Sequence, residues 1–300
     1  MEQHLQPHHP VVALPKLGLR RRLAPYLLGL PAWAYLGFFF VVPLVAVLAV
    51  ALETGNPDQG YVLTWHWSEL TSTISQYHVQ LIRSFEYGAI STLIALVVSY
   101  PVAYWIAFYG GRHKSTLLFL VLLPFFVSFV IRTLAWNFIL SDSGFVLGTL
   151  KGWGVLPQTF HVLSTPSAVI AGLTYNALPF MILPLYVALE QIDRRVVRAA
   201  QDLYASHLVA FARVVVPLSA GGIFAGFLLV FVTNVGDYVN AAILGGPGTT
   251  MIGNIIQTSF LENLDYPTAS ALSAWLLLGL LLAIALYAWI FGTRRIQEYA

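Results

Sequence analysis

Apolar residues in this chain neither alternate nor form narrow stripes. They run in six long blocks separated by polar breaks, near residues 26–52, 87–109, 116–140, 167–189, 219–244 and 269–292. A hydrocarbon core about 30 Å thick is crossed by a helix of about 20 residues, and each block reaches that length. Lipid offers no partner for an exposed backbone amide, so such blocks must be helical. The pattern predicts an all-α polytopic membrane protein with six transmembrane helices over 26–292. Residues 1–25 and 293–300 are left as terminal tails. Ala49-Val50-Ala51 looks like a signal cleavage site, but the run before it exceeds the about 7–15 apolar residues of a signal peptide. The first helix is therefore expected to be retained. His4, His8 and His9 read as part of a disordered tail in preference to a metal site.

Composition agrees with this reading. The chain is 58% hydrophobic and 9% charged, with a mean hydropathy of +0.75, whereas soluble domains carry about 25% charged residues. Its basic residues mark topology. Lys16, Arg20, Arg21, Arg22, Arg112, Lys114, Arg194, Arg195, Arg198, Arg213, Arg294 and Arg295 all fall on one side of the six-helix pattern. The positive-inside rule makes that side cytoplasmic, with both termini inside. Arg83, Arg132 and Lys151 lie elsewhere, and the net charge of +2 carries no signal for nucleic acid. The opposite side bears Glu53, Asp58, Glu69, Glu86, Asp142, Glu262 and Asp265. Such a face raises the local concentration of a cationic solute, or it simply reflects charge segregation.

Several chemistries drop out. With no cysteine there is no disulfide, thiolate metal site or cysteine nucleophile. No HExxH, GxSxG or suitably placed carboxylate pair supports an intramembrane enzyme. None of Lys16, Lys114 or Lys151 completes a G-x4-G-K-[ST] phosphate-binding loop. If ATP drives this protein, another chain hydrolyses it.

The longest polar break in the second half is the most informative. Arg198-Ala199-Ala200-Gln201-Asp202-Leu203-Tyr204-Ala205-Ser206 continues through Arg213 to Val214-Val215-Val216-Pro217-Leu218. It reads as helix, sharp break, helix, with Ala200, Tyr204, Leu208 and Phe211 at helical spacing. These residues resemble the E-A-A-x3-G-x9-I-x-L-P loop of the membrane subunits of ATP-binding-cassette (ABC) importers. Ala199 and Ala200 match the alanines, nine residues separate Tyr204 from Val214, and Val214, Val216 and Pro217 occupy the I-x-L-P end. Arg198 replaces the Glu of the pattern and Tyr204 its Gly. A tyrosine pays a steric cost for positive φ that glycine does not. Either the bend is made differently, with Ser206 capping the second helix, or the contact is remodelled.

The resemblance extends from about Arg83 to the carboxyl terminus. Ser99-Tyr100-Pro101-Val102-Ala103-Tyr104 is similar to the G-Y-P-x-A-Y stretch of spermidine/putrescine permeases. Leu123-Pro124-Phe125 with Ser128 through Trp136 is similar to their L-P-x-x-x-S-x-x-x-R-T-x-A-W segment. Gly236-Asp237-Tyr238-Val239, Leu244-Gly245-Gly246-Pro247 and Met251-Ile252-Gly253-Asn254 follow their G-D-F-V, L-G-G-P and M-x-G-N stretches. The resemblance implies a type I ABC importer permease fold, half of a two-permease pore. Its implied partners are a second permease, two ATPase subunits, an extracytoplasmic solute-binding protein and membrane lipid. ATP and Mg would sit on the ATPase, with no cofactor on this chain. The cargo it suggests is a polyamine, and the setting a bacterial inner membrane. The 191–217 loop would be the coupling element, with Ala199, Ala200, Asp202, Leu203, Tyr204, Ala205, Ser206, Phe211 and Pro217 as its contacts. Small residues there permit close approach, and Leu203 or Phe211 can fill a groove.

Polar residues inside the helices become candidates for the pathway: Asp237, Tyr238, Trp136, Asn176 and Tyr100. An intramembrane carboxylate is expensive and faces a bundle interior or a wet cavity. Asp237 is open to three readings: contact with a cationic cargo, an ion pair with Arg132 joining helices three and five, or gating without contact. Arg132 is expected to be paired. Asn176, Pro179 and Pro184 suggest a local break or a kink in helix four. Outside the helices, Asp142 and Glu262 are candidates for docking the binding protein, on loops long enough to be functional. Two other classes stay open on sequence: an ion-coupled secondary transporter and a membrane scaffold without a polar pathway.

Overall fold

The computed structural model describes residues 19–204 and 206–296. His4, His8, His9 and Ala205, and the side chain of Tyr204, lie outside the described residues. The chain divides into two units, Met1–Val47 and Leu48–Ala300. Helix α1 (Leu19–Val50) contains the apolar stretch Gly29–Val50, long enough to cross a membrane.

The second unit opens with the hairpin β1 (Glu53–Asn56) and β2 (Gly60–Leu63), in which Thr54 pairs with Val62 and Gly55 with Tyr61. The sequence pattern had not indicated it. Its turn is closed by the Asn56 side chain, whose Oδ1 accepts from Gln59 N at 2.8 Å, and by Gly60 at φ 83°. Helix α2 (Trp67–Tyr109) follows, and α3 (Lys114–Leu122), α4 (Phe129–Leu140) and α5 (Phe145–Gly152) come next. Then come α6 (Pro166–Glu190), α7 (Arg194–Tyr204), α8 (His207–Ala210), α9 (Val216–Leu218), α10 (Ala220–Val235) and α11 (Val239–Leu244). The chain ends with α12 (Ile252–Gln257) and α13 (Tyr266–Ile296), and π-helical turns occupy Phe211–Val215 and Thr258–Glu262.

Among the described residues four helices are long and apolar enough to cross a membrane: Gly29–Val50 of α1, α2, α6 and Tyr266–Phe291 of α13. Six crossings result when each of two bent pairs counts as one span: Gly111–Phe126 with Phe129–Gly152, bent by 87°, and His207–Leu218 with Ala220–Val235, bent by 65°. Three features depart from the sequence expectation. Helix α2 begins twenty residues before the apolar block at 87–109 and has 43 residues, about 65 Å at 1.5 Å per residue. Its early exposed residues Thr71, Ser72, Ser75, Gln76 and His78 are polar, and exposed Val79 and Ile82 begin the apolar stretch. The block at 116–140 is broken: Pro124 sits in a 3₁₀ turn, and Val127 and Ser128 are extended, with ψ of 138° and 137°. The block at 219–244 is broken at Gly236-Asp237-Tyr238. Helix α6, by contrast, runs on through Pro179 and Pro184.

The core lies where α2, α6 and α10 meet: Ala95, Ala103, Met181, Ile182, Leu185, Leu189 and Val230 are buried together. Small residues let the backbones approach, the packing that lipid-embedded helices favour. A Cβ on Gly222 would stand 2.6 Å from Pro184 O and 2.5 Å from Ala188 Cβ, both fixed parts of α6. Gly222→Val is therefore expected to lower stability by about 1–3 kcal/mol, the range for overpacking a tight contact. Thermal unfolding in detergent would measure it, and an unchanged midpoint would show that α6 and α10 are looser than this. Stacked rings fasten α13 alongside: Tyr287 lies 4.8 Å from Phe224 and 4.6 Å from Phe227.

Candidate functional site

Two side-chain clusters stand out. The first is polar and buried, where the broken segments meet α6. Asp237 closes the break before α11: its Oδ1 accepts from Asn240 N at 2.8 Å and its Oδ2 from Asn240 Nδ2 at 3.2 Å. The carboxylate thus replaces the carbonyls that α11 lacks at its start. Asn240 Oδ1 in turn accepts from Asn176 Nδ2 at 3.1 Å, and that nitrogen also lies 3.3 Å from Thr133 Oγ1. Thr133, Asn176 and Asn240 are all buried, so the network joins α4, α6 and α11. Gly172 makes room for it, since a Cβ there would lie 2.7 Å from Asn240 Oδ1. A neighbouring link, Asn234 Nδ2 to Ser91 Oγ at 2.9 Å, ties α10 to α2.

The expected ion pair between Arg132 and Asp237 is absent; among the described residues the ion pairs are Lys114–Glu190 and Lys151–Asp142. Arg132 is 9% exposed and packs its guanidinium against aromatic faces of its own neighbourhood, 4.9 Å from the Phe125 centroid and 5.9 Å from that of Phe129. Its Nε has no hydrogen-bond partner, and neither has Asn176 Oδ1. Cation–π attraction in a desolvated site, worth about 2 kcal/mol, takes the place of the carboxylate. Arg132 is adjacent to Thr133 in α4, whereas Asp237 is held locally by Asn240, which is why opposite charges in neighbouring spans do not meet.

Of the other pathway candidates, Trp136 packs edge-on against Tyr175 at 5.3 Å, and Tyr238 is 45% exposed beside the break. Tyr100 belongs to the second cluster, with Phe211 and Ser219.

That second cluster anchors the loop after α6. Helices α7 and α8 are separate, as the spacing implied. Ser206 stands at the start of α8 but its side chain makes no capping bond, so the expected cap is not the device that makes the bend. Val197 and Ala200, three residues apart, face inward and are buried at 7% and 5%. Ala200 is thus covered by this chain itself. Ala199 and Asp202 are exposed, and Leu203 and Leu208 are 81% and 79% exposed. Phe211 also turns inward, against Tyr100 and Tyr104. Pro217 lies in α9. Arg194 donates to Ala107 O at 3.2 Å, and Lys114 pairs with Glu190 at 2.6 Å, so basic residues fasten this flank to the ends of α2 and α6. Of the docking candidates, Asp142 is paired with Lys151 at 2.9 Å, and Glu262 is exposed in a π-helical turn. Nearby, Tyr61 Oη donates to Leu264 O at 2.8 Å; burial, then the Asp265 carboxylate, pushes its pKa upward and keeps the phenol a donor.

The described structure is thus a helical membrane protein with broken spans around a buried polar network and an amphipathic two-helix loop on one flank. The chain belongs to the family described as binding-protein-dependent transport system inner membrane component, whose model matches residues 99–295. It is 36% identical over 256 residues to the spermidine/putrescine transport system permease protein PotB of Haemophilus influenzae, covering 85% of this chain and 90% of that one. It is 32% identical over 253 residues to the PotB permease of Escherichia coli K12, covering 83% and 92%. Its fold is that of a chain in a bacterial alginate ABC transporter solved in complex with an alginate pentasaccharide-bound periplasmic protein, with a TM-score of 0.64 over 93% of this chain and 98% of that one, at 19% identity. The chain is an ABC importer permease of the type I fold, a multi-pass membrane protein whose relatives are permeases and not enzymes.

Proposed function

We infer that this permease carries a polyamine such as spermidine or putrescine, with both termini in the cytoplasm. The observation that supports the cargo is its 36% identity to a spermidine/putrescine permease across 90% of that protein. The chemistry is compatible: Arg132 has its charge set against Phe125 and Phe129, and Asp237 places a carboxylate at the broken segment. In this reading the chain pairs with a second permease, and each permease seats one ATPase on its 191–217 loop. ATP and Mg are held by the ATPases, and a solute-binding protein delivers cargo to the hairpin side. Leu203 and Leu208, with Val196, are exposed apolar groups on the loop for the ATPase to cover.

Uptake of labelled putrescine and spermidine by cells expressing the complete transporter tests the cargo. Import that depends on the chain and is competed by polyamines is expected; selectivity for an anionic or neutral solute would end the polyamine reading. Orientation is tested separately, because a cysteine-free chain makes single introduced cysteines clean reporters. Ser72→Cys and Thr159→Cys are expected to react with an impermeant thiol reagent in intact cells, and Ser115→Cys and Ser206→Cys to resist it. Labelling of Ser206→Cys from outside would reverse the topology.

A further inference from the structure

Phe211 is one of the residues, with Val197 and Val215, by which the loop between α6 and α10 packs on the span core. Phe211 is the first residue of the π-helical turn Phe211–Val215. Its ring meets two tyrosines of α2 at right angles: Tyr100 at 5.5 Å and 89°, and Tyr104 at 5.4 Å and 90°. These are the edge-to-face geometries that aromatic quadrupoles favour. The two tyrosines lie one helical turn apart and flank Pro101, where α2 lacks a backbone donor and is locally softened. Tyr100 reaches further, since its hydroxyl is 2.8 Å from Ser219 Oγ. Ser219 is the residue at which the chain bends by 65° between His207–Leu218 and Ala220–Val235. One ring therefore touches the loop, the softened point of α2 and, through Tyr100, the root of α10. A cavity of about 250 Å³, lined by Tyr104, Val197, Leu208, Phe211 and Val215 among others, adjoins the ring. Single-turn π segments recur at functional positions in helices.

We propose that Phe211 is a positioning residue for transport, carrying displacement of the α7–α8 loop into α2 at Pro101 and into α10 at Ser219. This rests on the reading of the 191–217 loop as the seat of an ATPase. A ring that merely filled space would be replaced by leucine without consequence; a ring that transmits movement through its edge contacts would not.

The test uses the complete transporter, purified and reconstituted with its ATPases and binding protein, and reads solute imported per ATP hydrolysed. Phe211→Leu keeps apolar volume and loses the ring, and is expected to lower that ratio about fivefold or more while the ATPase copurifies as with the parent chain. Phe211→Tyr keeps the ring and is expected to hold the ratio within about twofold. Tyr104→Leu is expected to match Phe211→Leu, and the double variant to be no worse than the worse single one, because contacts within one unit are not additive. An unchanged ratio in Phe211→Leu overturns the proposal, as does independent, additive loss in the double variant. Failure of the parent chain to retain any ATPase would instead overturn the coupling reading beneath it.

Discussion

Glutamate at position 200 is expected to deplete the permease from the membrane fraction, whereas glutamate at position 203 leaves it inserted and strips it of its ATPase. The two positions lie three residues apart on α7, but one is 5% exposed and the other 81%. Ala200 packs inward beside Val197, which itself belongs to the core formed by α2, α6 and α10. Glutamate there brings overpacking of about 1–3 kcal/mol and a charge that must be buried without a partner or neutralised. Leu203 has no such neighbours to lose, and a surface change away from packed features shifts stability by about 0.5 kcal/mol or less. Its contribution arises when a partner covers it, so Leu203→Glu is expected to weaken ATPase retention about tenfold or more, the effect of an unpaired charge in an apolar contact. Membrane yield and copurification, measured side by side, separate the cases. Normal insertion of Ala200→Glu with selective loss of the ATPase would show that α7 presents the opposite face.

How much of this was legible in the sequence follows from what each signal measures. Hydropathy averages over a window, so the six crossings could be placed, but a break three residues wide inside an apolar block could not. Gly236-Asp237-Tyr238 passes unseen because freed backbone groups are satisfied by the side chains of Asp237, which accepts from Asn240 N, and Asn254, which donates to Tyr238 O, an arrangement that hydropathy does not encode. Pro124 was visible, yet Pro101, Pro179 and Pro184 sit inside continuous helices, so proline alone does not locate the broken span. The extension of α2 back to Trp67 was hidden by its polar exposed face, and the short hairpin by strands of four residues. Helical spacing on the 191–217 loop was readable, but spacing says only which residues share a face. That Val197, Ala200 and Phe211 turn toward the permease, and Leu203 and Leu208 away, depends on where α7 and α8 rest. Asp237 was singled out as a carboxylate costly in lipid and Asn176 as a polar residue beside Pro179 and Pro184, and the two do share one network through Asn240; Asn240 and Thr133 have no comparable local signal.

Removing the Asp237 side chain is expected to be more damaging than neutralising it. Asp237→Ala takes away the acceptor for Asn240 N and for Asn240 Nδ2, at 2.8 and 3.2 Å, where Asn240 is 1% exposed. Loss of the helix-start acceptor costs about 0.5–2 kcal/mol, and a buried amide left without a partner about 1–3 kcal/mol more. The α11 break should loosen, and with it the links to Asn176 and Thr133. Asp237→Asn retains an oxygen for Asn240 N but sets its own NH2 against Asn240 Nδ2, so it keeps the helix-start acceptor and is expected to cost about 1–3 kcal/mol, less than Asp237→Ala. Any further role of the charge then appears as uptake lost beyond that change: if the carboxylate meets a cationic cargo, Asp237→Asn lowers polyamine uptake per inserted permease. Because Arg132 is set against Phe125 and Phe129 and not against Asp237, adding Arg132→Gln to Asp237→Asn should restore nothing. Unfolding midpoints and initial uptake rates for the three variants and the parent decide this. Rescue of the single variant by the double would reinstate an ion pair between α4 and the break, and full uptake by Asp237→Asn would leave the carboxylate as a cap alone.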